Sequence, residues 1–571
     1  MDQNSTLATL FFIAVIMLVV LAVFLWNKWK HRQWLDSRLR GSWGKVPDRE
    51  YRAEELESIS HYALHHRQGK FYVDDITWND LGMEEIFMLL NNTVSSCGEE
   101  YLYYMLRTPE RDQEPLDRRE ELMQWAASKP EERLRLQKIL YGVRRTSLSL
   151  SDYIYILKDI PRKNTGKYKL LALLPVVCVG LIFLDPALGI LALLGAMSFN
   201  GVVHHRESTE IEKYLKCYQC ILSMVAVADE IGKWKNPNPV LAPYFQRILA
   251  GRRGLKGFRR GAWLVTENSE VKDDILAAVL SYVKIFFHVD LIKFYSMLGQ
   301  LDGHEQDLEG LMENIGLLDA CMAAASYRAY LSLYCRPELT DAREAWFEGK
   351  SLYHPLLENP VANSIAARGQ ILLTGSNASG KSTFLKTVAI NTLLAQSINT
   401  CLAEVYRGSF LKVLTSMALK DDLQGGESYY IVETKSLKRI LEEAEKGEPM
   451  LCIVDEVLRG TNTVERIAAS SRILASLCRP HVLAFAATHD IELTYILEEA
   501  YQNYHFEEEI RDNQVIFNYL LRQGRATSRN AIRLLELIGY DGRLVREAQR
   551  AAAEFEDTGI WRALGKDELC W

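Results

Sequence analysis

The stretch 370–383, QILLTGSNASGKST, limits what this chain can fold into more than any other. A short apolar, β-prone run leads into two glycines, and Lys-Ser-Thr then opens a helix with regularly spaced apolar residues. Backbone N–H groups and a helix N-terminus must wrap a polyphosphate closely here, which leaves no room for a Cβ at the glycines. The spacing predicts a P-loop, with Lys381 reaching the β and γ phosphates and the Ser382 hydroxyl binding Mg²⁺.

Two later apolar runs are each followed by polar residues that suit a nucleotide site. Residues 449–454, PMLCIV, precede Asp455 and Glu456, and residues 481–487 precede Thr488 and His489. The first pattern is typical of a Walker B strand, whose Asp holds Mg²⁺ through water and whose Glu polarises the attacking water. We expect His489 to contact the γ-phosphate.

Length, charge and composition limit the possible domain organisation and function less tightly than these motifs do. The 571 residues suffice for several domains, and a net charge of −7 gives no overall nucleic-acid signature, so any DNA contact must be local. One local basic cluster, residues 252–261, could meet phosphates of DNA or of lipid headgroups, or could be a solvated loop. The ten cysteines are scattered through the chain, often in apolar runs, which favours a reducing compartment.

The segment from Leu7 to Trp26 is apolar and uncharged for twenty residues, the length that crosses a bilayer. Lys28, Lys30 and Arg32 follow it, and nothing around it resembles a cleaved signal peptide. We predict a transmembrane anchor of the bacterial inner or plasma membrane type, with the bulk of the chain in the cytoplasm.

A second apolar block, Leu170 to Val203, is interrupted at Asp185-Pro186 and has basic residues on both sides. This pattern predicts a helical hairpin with both ends in the cytoplasm. Each arm is at the lower limit for spanning, so a re-entrant hairpin and a hairpin buried in a soluble domain both stay open.

Four segments, in order, resemble the ATPase domain of the MutS family of DNA mismatch-repair proteins: GSNASGKST, DDLQGGESYYIVETKSLKRIL, LCIVDEVLRGTNTVER and FAATHDIELT. TVSSCGEEYLYYMLRTP with LDRRE resembles that family's core and lever region. RQGRATSRNAIRLLELIGY with LVREAQRAA resembles its C-terminal dimerisation helices. The resemblance covers roughly residues 70–160 and 300–555.

The resemblance implies roles for individual residues. Asp455 would hold the metal-bound water, Glu456 would be the general base and His489 the γ-phosphate sensor. The phosphate and Mg²⁺ ligands would be Gly375, Asn377, Gly380, Lys381, Ser382 and Thr383.

The family is a branch of the ABC-type ATPases, in which a signature loop of one subunit completes the site of its partner. Here Gly425, Gly426 and Ser428 occupy that loop, so Ser428 would act in trans within a dimer.

The sequence departs from the family pattern at three places. A predicted anchor stands where the family has its N-terminal mismatch-reading domain. The signature reads GGES where relatives commonly have SGQS. Pro360-Val361 replaces an apolar-aromatic pair that helps to seat adenine, and we expect Tyr519 to compensate by stacking.

The predicted fold is an α/β P-loop ATPase domain of the ABC type joined to an all-α core and lever domain, with the N-terminal transmembrane helix and the internal hydrophobic hairpin. The predicted segments are a membrane anchor (1–33), a connector (34–70), a helical core and lever domain (71–345) with its hairpin (170–203), the ATPase domain (346–525) and a dimerisation segment (526–571).

Two functions are carried forward. The first is a membrane-anchored, dimeric ATPase that uses ATP and Mg²⁺ to switch a clamp on mismatched, branched or damaged DNA. The alternative is an ABC-like switch that acts on a protein or membrane partner without DNA.

Overall fold

The structure is a computed structural model. It describes residues 3–143, 149–152, 163–255, 257–258, 275–301, 303–376, 379–417, 429–459, 461–511, 514–526 and 531–564. These residues form two compact units. The helical unit comprises Met1–Lys70, Phe87–Thr108 and Arg118–Ser332, and the ATPase unit comprises Phe71–Ile86, Pro109–Asp117 and Leu333–Trp571.

The described chain up to Ser332 is helical. Its helices are α1 (Gln3–Ser42), α2 (Ala53–His65), α3 (Asp75–Leu81), α4 (Met83–Leu90), α5 (Ser96–Arg107), α6 (Gln113–Ser128), α7 (Pro130–Leu140), α8 (Thr165–Ile182), α9 (Pro186–Gly232), α10 (Ala242–Gly254), α11 (Ile275–Phe287), α12 (Val289–Leu301) and α13 (Glu305–Tyr330).

The helical unit is organised by buried polar contacts as well as by apolar packing. The Asp319 carboxylate on α13 accepts hydrogen bonds from Val94 N–H, Ser95 N–H and the Ser95 hydroxyl, which satisfies backbone donors just before α5. Arg328 and Glu120 form a buried pair at 2.7 Å. Since each group would be costly to bury alone, these partners fix how α13 packs on its neighbours.

The predicted hairpin is present as two helices. Asp185 caps α9 by accepting from Ala187 N–H and Leu188 N–H, and Pro186 occupies the first helical position. The second arm is much longer than predicted, because α9 continues without a break to Gly232. Within the described residues, Thr165–Ile182 and Pro186–Ile211 are long and apolar enough to cross a membrane, and each is only 17% buried.

The backbone of Leu7 to Trp26 lies within α1, and its described apolar residues, such as Phe11 and Leu18, are exposed. For many other residues in this segment, the structure describes the backbone but not the side chain. Towards its C-terminal end α1 packs Leu35 and Leu39 against Leu134 of α7. The segment is a helix, as the sequence predicts, and its insertion in a membrane stays a prediction.

The ATPase unit contains two sheets. Its strands are β1 (Glu338–Thr340), β2 (Phe347–Leu352), β3 (Asn363–Ala367), β4 (Gln370–Thr374), β5 (Val405–Ser409), β6 (Lys412–Ser416), β7 (Met450–Asp455), β8 (Val482–Ala487), β9 (Tyr501–Arg511) and β10 (Gln514–Gln523). Its later helices are α14 (Lys381–Ile398), α15 (Tyr429–Ala444), α16 (Thr463–Ser476), α17 (Ile491–Ile496), α18 (Ala531–Ile538) and α19 (Gly542–Thr558).

The larger sheet has the order β10-β9-β4-β8-β7-β6, and the smaller one the order β1-β5-β2-β3. In the larger sheet β4, β6, β7, β8 and β9 run parallel, and β10 returns antiparallel to β9. Every residue of β4, β7 and β8 is buried, as expected for parallel strands covered by helices on both faces.

Residues 71–86 join the ATPase unit, which the sequence did not predict. Asp80 on α3 accepts hydrogen bonds from the Thr415 hydroxyl and from Met417 N–H, so α3 is bound at the end of β6. Asp74, which caps α3, also pairs with Arg439 of α15. The unit further includes β1, which pairs with β5 and lies before the predicted domain boundary at residue 346.

Candidate nucleotide site

Parallel strands bring the three polar motifs to one edge of the larger sheet. β4 and β7 both pair with β8, so the residues that follow these strands emerge side by side at their carboxyl ends. Glu456 N–H donates to Ala487 O at 2.9 Å, and Thr488 N–H donates to Leu373 O at 3.0 Å. Ligands of open α/β sheets bind at this edge.

The loop between β4 and α14, the predicted phosphate cradle, requires glycine at two positions. A Cβ on Gly375 would lie 2.7 Å from Phe506 O, and Gly380 has φ +105°, a conformation that L side chains rarely adopt. Lys381, the first residue of α14, donates from Nζ to Gly375 O at 2.9 Å and to Ser376 O at 2.8 Å. Burial lowers the pKa of Lys381, while the carboxylates of Asp455 and Glu456 oppose that shift.

Ser382 and Asp455 meet where the sequence places the metal. Ser382 Oγ donates to Asp455 Oδ2 at 2.5 Å. Burial raises the pKa of Asp455, and the Ser382 hydrogen bond opposes that effect. Two buried oxygens in this region, Asp455 Oδ1 and Ser379 Oγ, lack hydrogen-bond partners in the part of the chain that the structure describes. The donor set therefore suits a hard cation beside a phosphate.

Glu456 lies between two basic side chains. His489 Nε2 is 2.8 Å from Glu456 Oε1, and Arg459 Nε is 2.9 Å from Glu456 Oε2. The hydrogen bond with His489 is the main cause that lowers the pKa of Glu456. Burial has the next largest effect and raises the pKa, but the net shift is downward. Glu456 is thus held as a carboxylate, the form that a general base needs.

The backbone that carries Glu456 is strained, and Glu433 supports it. Glu456 and Leu458 have φ of +54° and +56°, unusual for residues with side chains. The buried Glu433 carboxylate on α15 accepts from Leu458 N–H at 2.5 Å. Burial raises the pKa of Glu433, and the backbone N–H groups of Leu458 and Arg459 oppose that shift. Glu433 thereby links α15 to the loop that follows β7 and carries Glu456. Sequence reasoning missed it, because a Glu within VETKSLKR looks like part of a solvated helix face.

A cavity of about 560 Å³ extends from the P-loop towards β3 and β10. Asn363 donates to Tyr519 O at 2.9 Å and accepts from Leu521 N–H at 2.7 Å, which holds Tyr519 at φ +54° beside Gly380. His354 also lines the cavity, and burial lowers its pKa to about 4, so it is neutral near pH 7. Its volume lies within the range that is typical of sites for small ligands.

One acidic contact at the loop was not foreseen. The Ser376 hydroxyl donates to Glu508 Oε2 at 2.7 Å, which places a carboxylate of β9 beside the cradle. Phe506, two residues before Glu508 on β9, lines the cavity. Phe506 packs edge-on against Phe384 of α14.

The other predicted site residues are placed only in part. Thr383 follows Ser382 in the first turn of α14 and is exposed on the cavity wall. Asn377 and the signature residues Gly425, Gly426 and Ser428 lie outside the described residues. In the basic cluster, Arg252 pairs with Asp229 at 2.7 Å, which neutralises its charge.

Three features together define a P-loop nucleotide-binding domain. They are the order of the parallel strands, the glycine-containing loop before Lys381, and the neighbouring carboxylates of Asp455 and Glu456. A family model described as MutS domain V matches residues 371–556, the same region, and this family is one of ATPase domains. Human MutS protein homolog 4 is 30% identical over 261 residues, which cover 43% of this chain and 27% of the relative. The mouse protein of the same name is 30% identical over 264 residues, covering 43% and 26%.

Residues 371–556 are therefore similar to MutS domain V, and the likeness to the two relatives covers under half of this chain. The matched region spans only about a quarter of the length of these two relatives.

Proposed function

We propose that this protein is a MutS-like ATPase that acts as a dimeric clamp on DNA at a membrane, with ATP hydrolysis switching the clamp between states. The observation that carries the proposal is the convergence of Lys381, the Ser382–Asp455 pair and the Glu456–His489 pair at one sheet edge. These are the groups that phosphoryl transfer from ATP to water requires.

Each residue has a distinct part in hydrolysis. Lys381 and the N-terminus of α14 would bind the β and γ phosphates, and Ser382 and Asp455 would hold Mg²⁺, which when bound neutralises phosphate charge. Glu456 would orient and polarise the attacking water. His489 would hold Glu456 in place and contact the γ-phosphate.

A composite site within a dimer follows from the proposal. Ser428 of one subunit would complete the site of its partner, with Gly425 and Gly426 allowing close approach. Apolar residues at the C-terminal end of the chain support association, because Ile538 on α18 and Trp561 after α19 are 67% and 65% exposed. Exposed apolar surface of this kind is typical of a protein interface.

A mixing experiment tests the composite site. Ser428→Arg should abolish hydrolysis in the homodimer by blocking the trans contribution, and Lys381→Ala should abolish it by weakening nucleotide binding. Because each variant supplies the half that the other lacks, mixing them should restore up to one working site per dimer. Absence of any recovery, with heterodimers shown to form, would contradict the composite site.

DNA is proposed as the partner because residues 371–556 match MutS domain V and the chain resembles the MutS family of DNA mismatch-repair proteins. Mismatched, branched and damaged DNA are the candidate forms. Mg²⁺ dependence of the ATPase is part of the same proposal and is tested by hydrolysis assays with and without chelator.

The proposed location is a bacterial inner or plasma membrane, with the ATPase unit in the cytoplasm. The mostly exposed apolar surfaces of α8 and of the first half of α9 support insertion. At the base of the hairpin, Lys163 lies 2.7 Å from Glu207, and the Tyr168 hydroxyl donates to the same carboxylate at 2.9 Å. Charges gathered at the ends of an apolar pair are expected where helices leave the hydrocarbon.

The same hairpin supports the alternative function, a switch on a membrane or protein partner that does not contact DNA. Asn200 on α9 donates to Leu171 O of α8 and to Phe286 O of α11, so three helices of the helical unit are tied together at this level. Stimulation of the ATPase by liposomes but by no DNA would favour this alternative.

A further inference from the structure

Cys335 and Cys401 face each other across a short antiparallel bridge in the ATPase unit. Cys335 N–H donates to Cys401 O at 2.9 Å, and Cys401 N–H donates to Cys335 O at 3.0 Å. Residues paired in this way have Cα atoms about 5.5 Å apart, within the range of about 4.4–6.8 Å that disulfides span. The backbone thus already holds these two cysteines, which are not joined by a disulfide, at a separation that a disulfide can bridge.

The side chains of the two cysteines also interact. Interaction with the Cys401 side chain is the main cause that lowers the pKa of Cys335; partial burial opposes it, and Tyr406 N–H lowers the pKa further. The Cys401 thiol itself donates to Asn391 O at 3.7 Å. Because the thiolate is the nucleophilic form of cysteine, Cys335 is the more reactive partner.

Other described cysteines have the opposite character. Burial raises the pKa of Cys321 to about 12 and raises that of Cys97 well above its usual value. Cys478 is exposed, yet partial burial of its sulfur still raises its pKa. Accessibility therefore favours Cys478, whereas thiolate character and a neighbouring thiol favour Cys335.

Each cysteine of the pair lies in a segment that connects two elements of regular secondary structure. Cys335 lies in the segment that leads from α13 to β1, and Cys401 lies just beyond α14, the helix that begins with Lys381. Asn391 of α14 accepts at its side-chain oxygen from Leu402 N–H at 2.7 Å, which fixes the Cys401 segment to that helix. A bond between the two sulfurs would fasten the first segment of the ATPase unit to the end of the P-loop helix.

We propose that Cys335 and Cys401 form a reversible redox pair that responds to a hydroperoxide. The Cys335 thiolate attacks the peroxide and cleaves the O–O bond, which gives a Cys335 sulfenic acid and releases the alcohol, or water when the oxidant is hydrogen peroxide. The Cys401 thiol then attacks the sulfenic sulfur, releases water and forms the disulfide. Overall two thiols are oxidised by two electrons and one peroxide is reduced, and a dithiol reductant restores both thiols.

The test uses the full-length, detergent-solubilised protein, reduced and then treated with stoichiometric hydrogen peroxide. Free thiols are alkylated, and the peptides are mapped by mass spectrometry. We expect a cross-linked peptide pair containing Cys335 and Cys401, which dithiothreitol reverses and which persists in the matched control Cys478→Ser. A product in which Cys478 is oxidised while both Cys335 and Cys401 remain free thiols would overturn the proposal.

Two variants test the order of attack. In Cys401→Ser, the Cys335 sulfenic acid has no resolving thiol, so a dimedone probe should label Cys335. In Cys335→Ser, Cys401 should remain a free thiol under the same treatment. Equal labelling of Cys401 in Cys335→Ser would refute the assignment of Cys335 as the attacking group.

A stability measurement gives an independent readout that does not depend on hydrolysis or DNA. A disulfide restricts the unfolded chain, so the oxidised wild type should melt at a higher temperature than the reduced wild type. Cys335→Ser should show no such shift. An oxidised wild type that melts lower than the reduced protein would contradict a native-state cross-link.

Discussion

Replacement of Glu433 tests how Glu456, the proposed general base, is held in place. In Glu433→Ala the Leu458 N–H loses its buried acceptor, while Lys381 and Ser382 keep all their contacts. The loop can then relax the positive φ angles of Glu456 and Leu458. We therefore expect slower hydrolysis with nearly unchanged nucleotide binding.

The magnitude follows from the bonds that are lost. A hydrogen bond from a backbone N–H to a carboxylate contributes about 1.5 to 3 kcal/mol. If the loop loses the equivalent of one such bond in positioning Glu456, the rate falls about tenfold to a hundredfold. Glu433→Gln keeps an oxygen acceptor, so it should retain most of the activity.

The assay is single-turnover ATP hydrolysis, with binding of a fluorescent ATP analogue measured in parallel. Glu442→Ala is the matched control, because Glu442 lies on the same helix, is exposed and pairs only loosely with Lys438 at 3.6 Å. If Glu433→Ala hydrolysed ATP as fast as Glu442→Ala, the supporting role would be refuted. A loss of binding as large as the loss of rate would show a general folding defect instead.

Three further predictions follow from the site and the helical unit. Glu456→Gln should bind ATP but hydrolyse it slower by a factor on the order of 10² or more, since the base is lost and the cradle is not; a normal rate would refute the Walker B assignment. Burial raises the pKa of Glu100 on α5 to about 8, so its contribution to stability is fully present below about pH 4.5 and is lost as pH rises through about 8, a change on the order of 5 kcal/mol. Thermal midpoints should fall over that range in the wild type and stay flatter in Glu100→Gln; equal profiles would argue against it. Deleting residues 1–26 should release the protein from membranes only in part, because the hairpin 170–203 retains a fraction; complete solubility without detergent would mean that the hairpin packs within the protein.

The strands and motifs of the nucleotide site could be predicted from sequence because each depends on local pattern. The runs that became β4, β7 and β8 are continuously apolar, and each ends in the polar residues that the site uses. Once these strands are parallel neighbours, Lys381 and Glu456 must emerge at the same edge. A local pattern plus one topological rule was therefore sufficient.

Contacts between residues distant in the chain could not be predicted in this way. Asp80 binds Thr415 across more than three hundred residues, and no local signal marks residues 71–86 as part of the ATPase unit. The support from Glu433 and the contact of Glu508 with Ser376 arise only when helices and strands pack. The length of α9 was also missed, because the end of its apolar block at Val203 resembles the end of a helix.

ATP hydrolysis in the presence of different DNA forms tests the central claim most directly. The full chain in detergent would be assayed with duplex, mismatched, branched and single-stranded DNA, with Glu456→Gln as the blank and DNA binding recorded under the same conditions. The proposal predicts that at least one DNA form binds and changes the hydrolysis rate of the wild type. An active ATPase that binds none of these DNA forms and keeps the same rate with every one would contradict it.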